Sequence, residues 1–221
     1  MTAISAKSLV ELLGDDDEQS HWLILEETGQ TLPALYSLSP APDYEWLFLH
    51  TPYAGLLKRS PLVLRLDTVA REIRQAFEND PRQGDFSGIV VSSHHPHDAV
   101  LAHLRRCLEV RFYGNRRAML RYYYPAIAAC LFAPDSKPHR QWLGPLDQWV
   151  WFGTTTQRLD EQPQWHALRD DTDTQAIASD ESSRPITLSN GQENALEQHI
   201  RTSQATERTT HYHYHREGSL T

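Results

Sequence analysis

The sequence is poor in the residues that build covalent or metal scaffolds. Two cysteines in 221 residues, Cys107 and Cys130, lie within apolar stretches and not in a close pair, so a disulfide framework or a paired-thiolate site is excluded and both read as reduced core residues. Long hydrophobic runs are missing too. Runs such as Ala126 to Ala133 fall far short of the roughly 20 residues a membrane span requires. No charged-then-apolar leader opens the chain, so a cytoplasmic protein without membrane contact is expected. The chemical signatures are equally sparse: there is no P-loop, no dinucleotide fingerprint, no helical H-E-x-x-H and no nucleophile in a strained-turn motif. A non-enzymatic protein without a cofactor is the resulting expectation.

A net positive charge is also lacking. The formal charge is -8 at pH 7, and it is unevenly spread. Residues 1–50 carry one lysine against nine acids, residues 51–153 fourteen basic against nine acidic, and residues 154–221 six against eleven. A dedicated nucleic-acid binder is usually basic overall. A basic middle between acidic ends suits a protein whose centre faces an acidic partner or is partly covered by its own termini.

What is present is a succession of short apolar segments with helices between them. "AKSLVELLG" reads as a helix stopped by Gly14, "HWLILEE" (21–27) as a buried strand, "EWLFL" (45–49) as a second and "LVLRL" as a third. One helical turn is expected around Ala34 to Leu38, and a short helical segment between Pro52 and Pro61. Asp67 stands where an N-cap belongs, before a helix that places Val69, Ile73 and Phe77 on one face and ends near Asn79. "FSGIVVSS" (86–93) is a buried strand and "PHDAVLAHLRRCL" a helix. "RFYGNRRAMLRYYYP" then reads as a hairpin turning at Gly114 and Asn115, its return strand running through Ala118, Leu120 and Tyr122. Pro125 opens the next helix, and "WVWFG" (149–153) is the last strand. Trp22, Trp46, Trp142, Trp149 and Trp151 lie in or beside these strands, where core packing is the default.

The pattern predicts an α/β (α+β) fold, a mixed sheet flanked by helices, with residues 1–153 forming the lobe. Residues 154–221 are polar and acidic; they read as a variable C-terminal segment, partly helical or disordered, with one helix over about 190–203.

Two histidine clusters invite a metal. His94, His95, His97 and Asp98 in "SSHHPHD" follow a strand, and neutral imidazoles beside a carboxylate are good zinc ligands. A hydrolase of that type would continue with an Asp and a His, but Ala99 and Val100 stand there, and a polar strand-to-helix loop is the simpler reading. His211, His213 and His215 would point one way in an extended chain, and in a helix His211 and His215 would share a face, so either form could bind a transition metal. They fall in a polar tail that does not hold ligands in place, so a loose tail or edge strand is expected and no metal site is assigned.

The hairpin carries the most specific features. Arginines interleaved with tyrosines suit single-stranded nucleic acid, because guanidinium groups neutralise phosphates while rings stack on bases. The same residues suit an acidic protein partner, since charge steers association and fixes register. Candidate partner-binding residues are Arg105, Arg106, Arg111, Arg116, Arg117, Arg121, Tyr123 and Tyr124.

The ordered series "HTPYAGLL" (50–57), "SPLVLRL" (60–66), "GIVVSS" (88–93), "HLRRCLEVRF" (103–112), "GNRRAMLRYYYP" (114–125) and "LGPLDQWVW" (143–151) resembles the effector chaperone, or adaptor, family of bacterial type VI secretion. The resemblance spans about residues 20–153. Arg116 and Arg117 match that family's Gly-Arg-Arg turn, and Leu120, Arg121, Tyr122, Tyr123 and Pro125 match its return strand. Tyr124 departs, standing where Asp is usual and removing an expected helix N-cap, and Ala126 stands where Arg is usual. The resemblance implies a non-catalytic protein that helps load a cognate toxic effector onto a VgrG spike protein. By analogy the lobe would engage the spike and the C-terminal segment the effector.

Overall fold

The computed structural model describes residues 1–133, 136, 140–154, 162–169 and 185–217, with side chains as far as residue 204. Its centre is a seven-stranded sheet built from β1 (Thr2–Ala6), β2 (Ser20–Leu25), β3 (Glu45–Trp46), β4 (Leu62–Arg65), β5 (Gly88–Ser93), β8 (Gln148–Gly153) and β9 (Gln164–Arg169), in the order β1-β9-β8-β5-β2-β4-β3. Every neighbouring pair in this sheet is antiparallel. A small second sheet holds β6 (Glu109–Phe112) between β7 (Arg116–Met119), antiparallel to it, and β10 (Ile186–Thr187), parallel to it.

The unbroken apolar runs in β2 and β5 follow from burial on both faces, since side chains alternate across a strand. Trp22, Ile24, Ile89, Val91, Trp149 and Trp151 point into one core, and Leu23, Leu25, Val90 and Val150 into another. The first core is covered by α4 (His97–Arg106), α5 (Pro125–Phe132) and the small sheet, through Leu104, Leu131, Phe132 and Val110. The second is covered by α1 (Leu9–Leu13), α2 (Thr31–Leu38) and α3 (Arg71–Asn79), through Leu12, Leu35, Ile73 and Phe77. Helices therefore flank a sheet, as the pattern predicts. Trp22, Trp142, Trp149 and Trp151 are all core residues, whereas Trp46 is only half-buried. Trp149 stacks on Phe132 at 5.0 Å and meets Tyr122 edge-on at 5.3 Å, contacts that add about 0.5–1.5 kcal/mol each beyond area burial.

Several expectations are corrected. The strand sought at 45–49 stops after Trp46, because Leu47 and Phe48 turn into the core with their N–H groups donated to the Pro61 carbonyl (3.0 Å) and the Ser60 hydroxyl (2.8 Å). Asp67 does not cap α3. The helix starts at Arg71 without a side-chain cap, while Asp67 accepts from the His21 N–H at 3.1 Å and from Arg65 at 3.3 Å, tying together the ends of β2 and β4. The strand Gln148–Gly153 is not the last: β9 pairs with it on one side and with β1 on the other. The sequence boundary near residue 154 thus falls between two paired strands of one sheet.

The last helix, α6 (Asn190–Glu217), begins where the sequence places it and continues beyond Ser203. Its backbone is therefore helical through His211, His213 and His215, against the expectation of a loose tail or strand; the side chains of these histidines lie outside the described residues. Ser189 and Gln192 form a capping box at its start: the Ser189 hydroxyl accepts from the Gln192 N–H (3.1 Å), and the Gln192 side-chain oxygen accepts from the Ser189 N–H (3.0 Å). No described helix is long and apolar enough to cross a membrane.

Candidate partner-binding site

The hairpin forms where the sequence places it, with a different turn. Pairing runs from Glu109 opposite Met119 to Phe112 opposite Arg116, so Tyr113, Gly114 and Asn115 make the loop. Tyr113 and Gly114 both take positive φ, 43° and 83°. A left-handed tyrosine is uncommon, and here α6 holds it. Glu193 accepts from the Tyr113 N–H at 2.6 Å, and Glu197 accepts from its hydroxyl. The return strand ends at Met119. Beyond it the chain turns inward, so Tyr122 and Tyr123 become core residues, 0% and 3% exposed, with the Tyr122 hydroxyl donated to the Leu104 carbonyl at 2.8 Å. Burial pushes both phenols up in pKa. Tyr123, expected at a partner surface, is therefore not presented there.

The six arginines separate into two groups. Arg105 donates to the carbonyls of Leu47 and Trp46 (3.3 Å each), locking α4 to the turn after β3. Arg106 donates to the Gln141 carbonyl (3.2 Å) and to Nδ1 of His103 (3.0 Å). Arg121 is ion-paired with Glu26. These three guanidinium groups hold the chain together, an outcome that local sequence could not reveal, because their partners lie on other elements.

The remaining three lie on the hairpin itself. Arg111 and Arg117 face each other across it, a like-charge pairing that is unfavourable on its own. Arg117 is relieved by an exposed ion pair with Glu109 at 3.2 Å. Arg111 is half-buried, and its Nε is shielded from water with no hydrogen-bond partner among the described residues. Arg116 is exposed. With Tyr122 and Tyr123 buried, the rings left beside these arginines are Tyr113, Tyr124 and the half-buried Phe112, too few for an extended base-stacking platform.

Tyr124 occupies the N-cap of α5 in extended conformation (φ -83°, ψ 123°) and makes no side-chain cap bond. The loss of a cap implied by Tyr in place of Asp is what the geometry has, and Pro125 at the first helical position compensates in part, because it has no N–H to satisfy. The Tyr124 ring lies 5.7 Å from the Arg121 guanidinium. It separates two open clefts. One, about 700 Å³, runs between α5 and α6 and includes Cys130, Phe152, Asn194 and His199. The other, about 350 Å³, lies between the end of β7, α5 and α6, and is lined by Met119, Leu120, Ile127 and Ile200. His199 borders both and is pushed down in pKa by burial, while burial pushes the Cys130 thiol up to about 11. The sequence nominates Tyr124 and Arg121 in this region but not the α5 and α6 residues that complete the clefts. Their signal was Ile200, an apolar residue on a polar helix, 52% exposed.

The strand-end histidines are used structurally. His94 places Nδ1 2.7 Å from Asp147 and Nε2 3.0 Å from Asp16, bridging two loops. Nδ1 of His97 accepts from the Trp22 indole at 3.0 Å. Among the described residues no group of three or more His, Cys, Asp or Glu side chains is placed to hold a metal ion.

A family model described as a domain of unknown function, DUF4123, matches residues 21–142, more than half of the chain. No curated protein and no solved structure matches it.

Proposed function

Because the chain belongs to the DUF4123 family, we propose that it is a non-enzymatic adaptor that binds a toxic effector and helps load it onto the VgrG spike of a bacterial type VI secretion system. The observation that carries this reading is the coincidence of two spans. The family match, 21–142, falls within the stretch of about 20–153 whose ordered segments resemble the secretion adaptors. The site's character supports it: the clefts around Tyr124 are open and lined mainly by apolar and amide side chains, with Arg82, Arg121 and His199 among them, suited to a polypeptide surface more than to a small reacting molecule. Arg111, Arg116, Arg117 and Tyr124 are the sequence-nominated residues that remain in place for a partner, and α6 brings the C-terminal segment against the same surface.

Co-expression with the products of a neighbouring spike gene and a neighbouring toxin gene tests it. A complex containing all three proteins at low salt is the expected result, and purification of the chain free of both partners would refute the adaptor reading.

A further inference from the structure

The small sheet ends in an open edge. In the order β10-β6-β7, one side of β7 pairs with β6 and the other with no described strand. Arg116, Arg117 and Ala118 are exposed. The ladder fixes which backbone groups face outward. The Leu120 N–H donates to the Leu108 carbonyl at 2.8 Å, which sets the phase of the ladder: 110/118 and 112/116 are its hydrogen-bonded pairs, and the intervening residues turn away. On β6 this is seen directly: the Arg111 carbonyl accepts from Leu188, beside β10, at 2.9 Å. On β7 the outward residues are Arg117 and Met119, each offering an N–H and a C=O along the edge.

Unprotected edges are templates for another strand. Resting on the adaptor reading, and specifying how a partner is held, we propose that β7 receives an added β-strand from an acidic, extended segment of a partner protein. Charge selects the occupant. Arg116 and Arg117 lie on the edge strand and Arg111 directly across from Arg117, so an incoming strand bearing carboxylates meets complementary charge. The Arg117–Glu109 pair is exposed and easily exchanged. Apolar side chains of the same segment have a seat, because the groove of about 350 Å³ starts at Met119 and Leu120 and passes between Ile127 and Ile200. A second copy of this chain is a poor occupant. Antiparallel pairing of β7 with itself gathers Arg116 and Arg117 of both copies on one short ladder, directly opposed where it centres on Arg117.

The test uses the full-length protein and three synthetic ten-residue peptides: one alternating Glu with Val, the same peptide N-methylated at alternate amides, and one with Lys replacing Glu. Fluorescence anisotropy at low salt is expected to show the Glu peptide binding at least about tenfold more tightly than either other, since both ladder bonds and charge are needed. Its binding should slow hydrogen exchange at the Arg117 and Met119 amides by about tenfold or more. Arg117→Pro removes an outward N–H while leaving the bonds to β6, and should weaken the peptide more than Arg117→Ala does. Equal affinity for the N-methylated peptide, protection confined to other surfaces, or a dimer of the chain abolished by Arg117→Pro would each overturn strand addition. Spike and toxin co-purifying undiminished with Arg117→Pro would overturn it while leaving the adaptor reading intact. Peptide binding of the expected kind, without co-purification of either protein, would support strand addition and count against the adaptor reading.

Discussion

Arg121 and Glu26 form a salt bridge between the segment after β7 and the residue just beyond β2, with the carboxylate side chain largely buried (14% exposed) and the guanidinium in the open (54%). Truncating the arginine strands a desolvated carboxylate, which costs about 1–3 kcal/mol. Chemical denaturation should show Arg121→Ala destabilised by about that much, while Arg116→Ala, on the exposed edge, stays within about 0.5 kcal/mol of wild type. Adding Glu26→Gln to Arg121→Ala should restore part of the loss.

Gly88 faces a sterically closed position. A Cβ there would sit 2.2 Å from the Ile24 carbonyl oxygen, on the neighbouring strand β2 in the middle of the sheet. Backbone on a paired central strand cannot step aside. Gly88→Ala should therefore cost about 3 kcal/mol or more, seen as a lowered denaturation midpoint or as insoluble protein. Gly55→Ala, where a Cβ meets nothing within 4 Å, is the matched control and should be close to neutral.

The bridge from His94 to Asp16 and Asp147 gives stability a pH signature. The hydrogen bond to Asp16, then that to Asp147, hold His94 charged above its ordinary 6.5, and the His94 hydrogen bond holds Asp16 below its ordinary 3.8. The raised histidine contributes fully below 6.5 and its share fades as pH climbs through the folded value. The lowered carboxylate contributes above 3.8 and its share fades as pH falls through the folded value. The bridge is thus strongest between these limits. The difference in Tm between wild type and His94→Ala should be larger at about pH 6 than at about pH 8.5.

His103 behaves oppositely. It is buried beneath Trp142, whose carbonyl accepts from Nε2 at 2.8 Å, and Arg106 donates to Nδ1. Burial pushes its pKa down to about 4, so the ring stays neutral in the folded protein. Between 6.5 and about 4 the unfolded chain takes up a proton that the native state refuses, and stability falls with acidification by up to about 1.4 kcal/mol per pH unit. NMR of the imidazole resonances should show this ring unprotonated at about pH 5.5.

The core was legible in the sequence and the site largely was not, for a common reason. Period-two and apolar-run signals report burial, and they located β2, β4, β5 and β8 because each is buried on at least one face; the hairpin was legible from its alternation and its Gly-Asn turn, although β7 is mostly exposed. β9 escaped detection although Trp165, Ala167 and Leu168 are buried, since its acidic, polar flanks suggested a loop. The Ser189-x-x-Gln192 box was a readable start signal that the apolar pattern alone does not use. Charge patterning, by contrast, names residues without naming their partners. Arg105, Arg106 and Arg121 look like surface arginines in sequence, and only the fold reveals the carbonyls of Leu47, Trp46 and Gln141 and the carboxylate of Glu26 beside them. Tyr123 was misplaced because the chain leaves the ladder after Leu120, whereas alternation continued from Met119 through Arg121 would have kept that ring outside.

The placement of β9 between β1 and β8 sets the order in which the protein can be completed on the ribosome. Ser5 and His166, 161 positions apart, are joined at 2.9 Å, so β1 waits for β9 before it has a neighbour in the sheet. Until then β1 and the free side of β8 are both unsatisfied, and such edges recruit other chains. Pairings this distant in sequence also form slowly. A nascent chain halted near residue 154 would carry both edges at once, which makes the short stretch Gln164–Arg169 the piece that converts a sticky intermediate into a finished sheet.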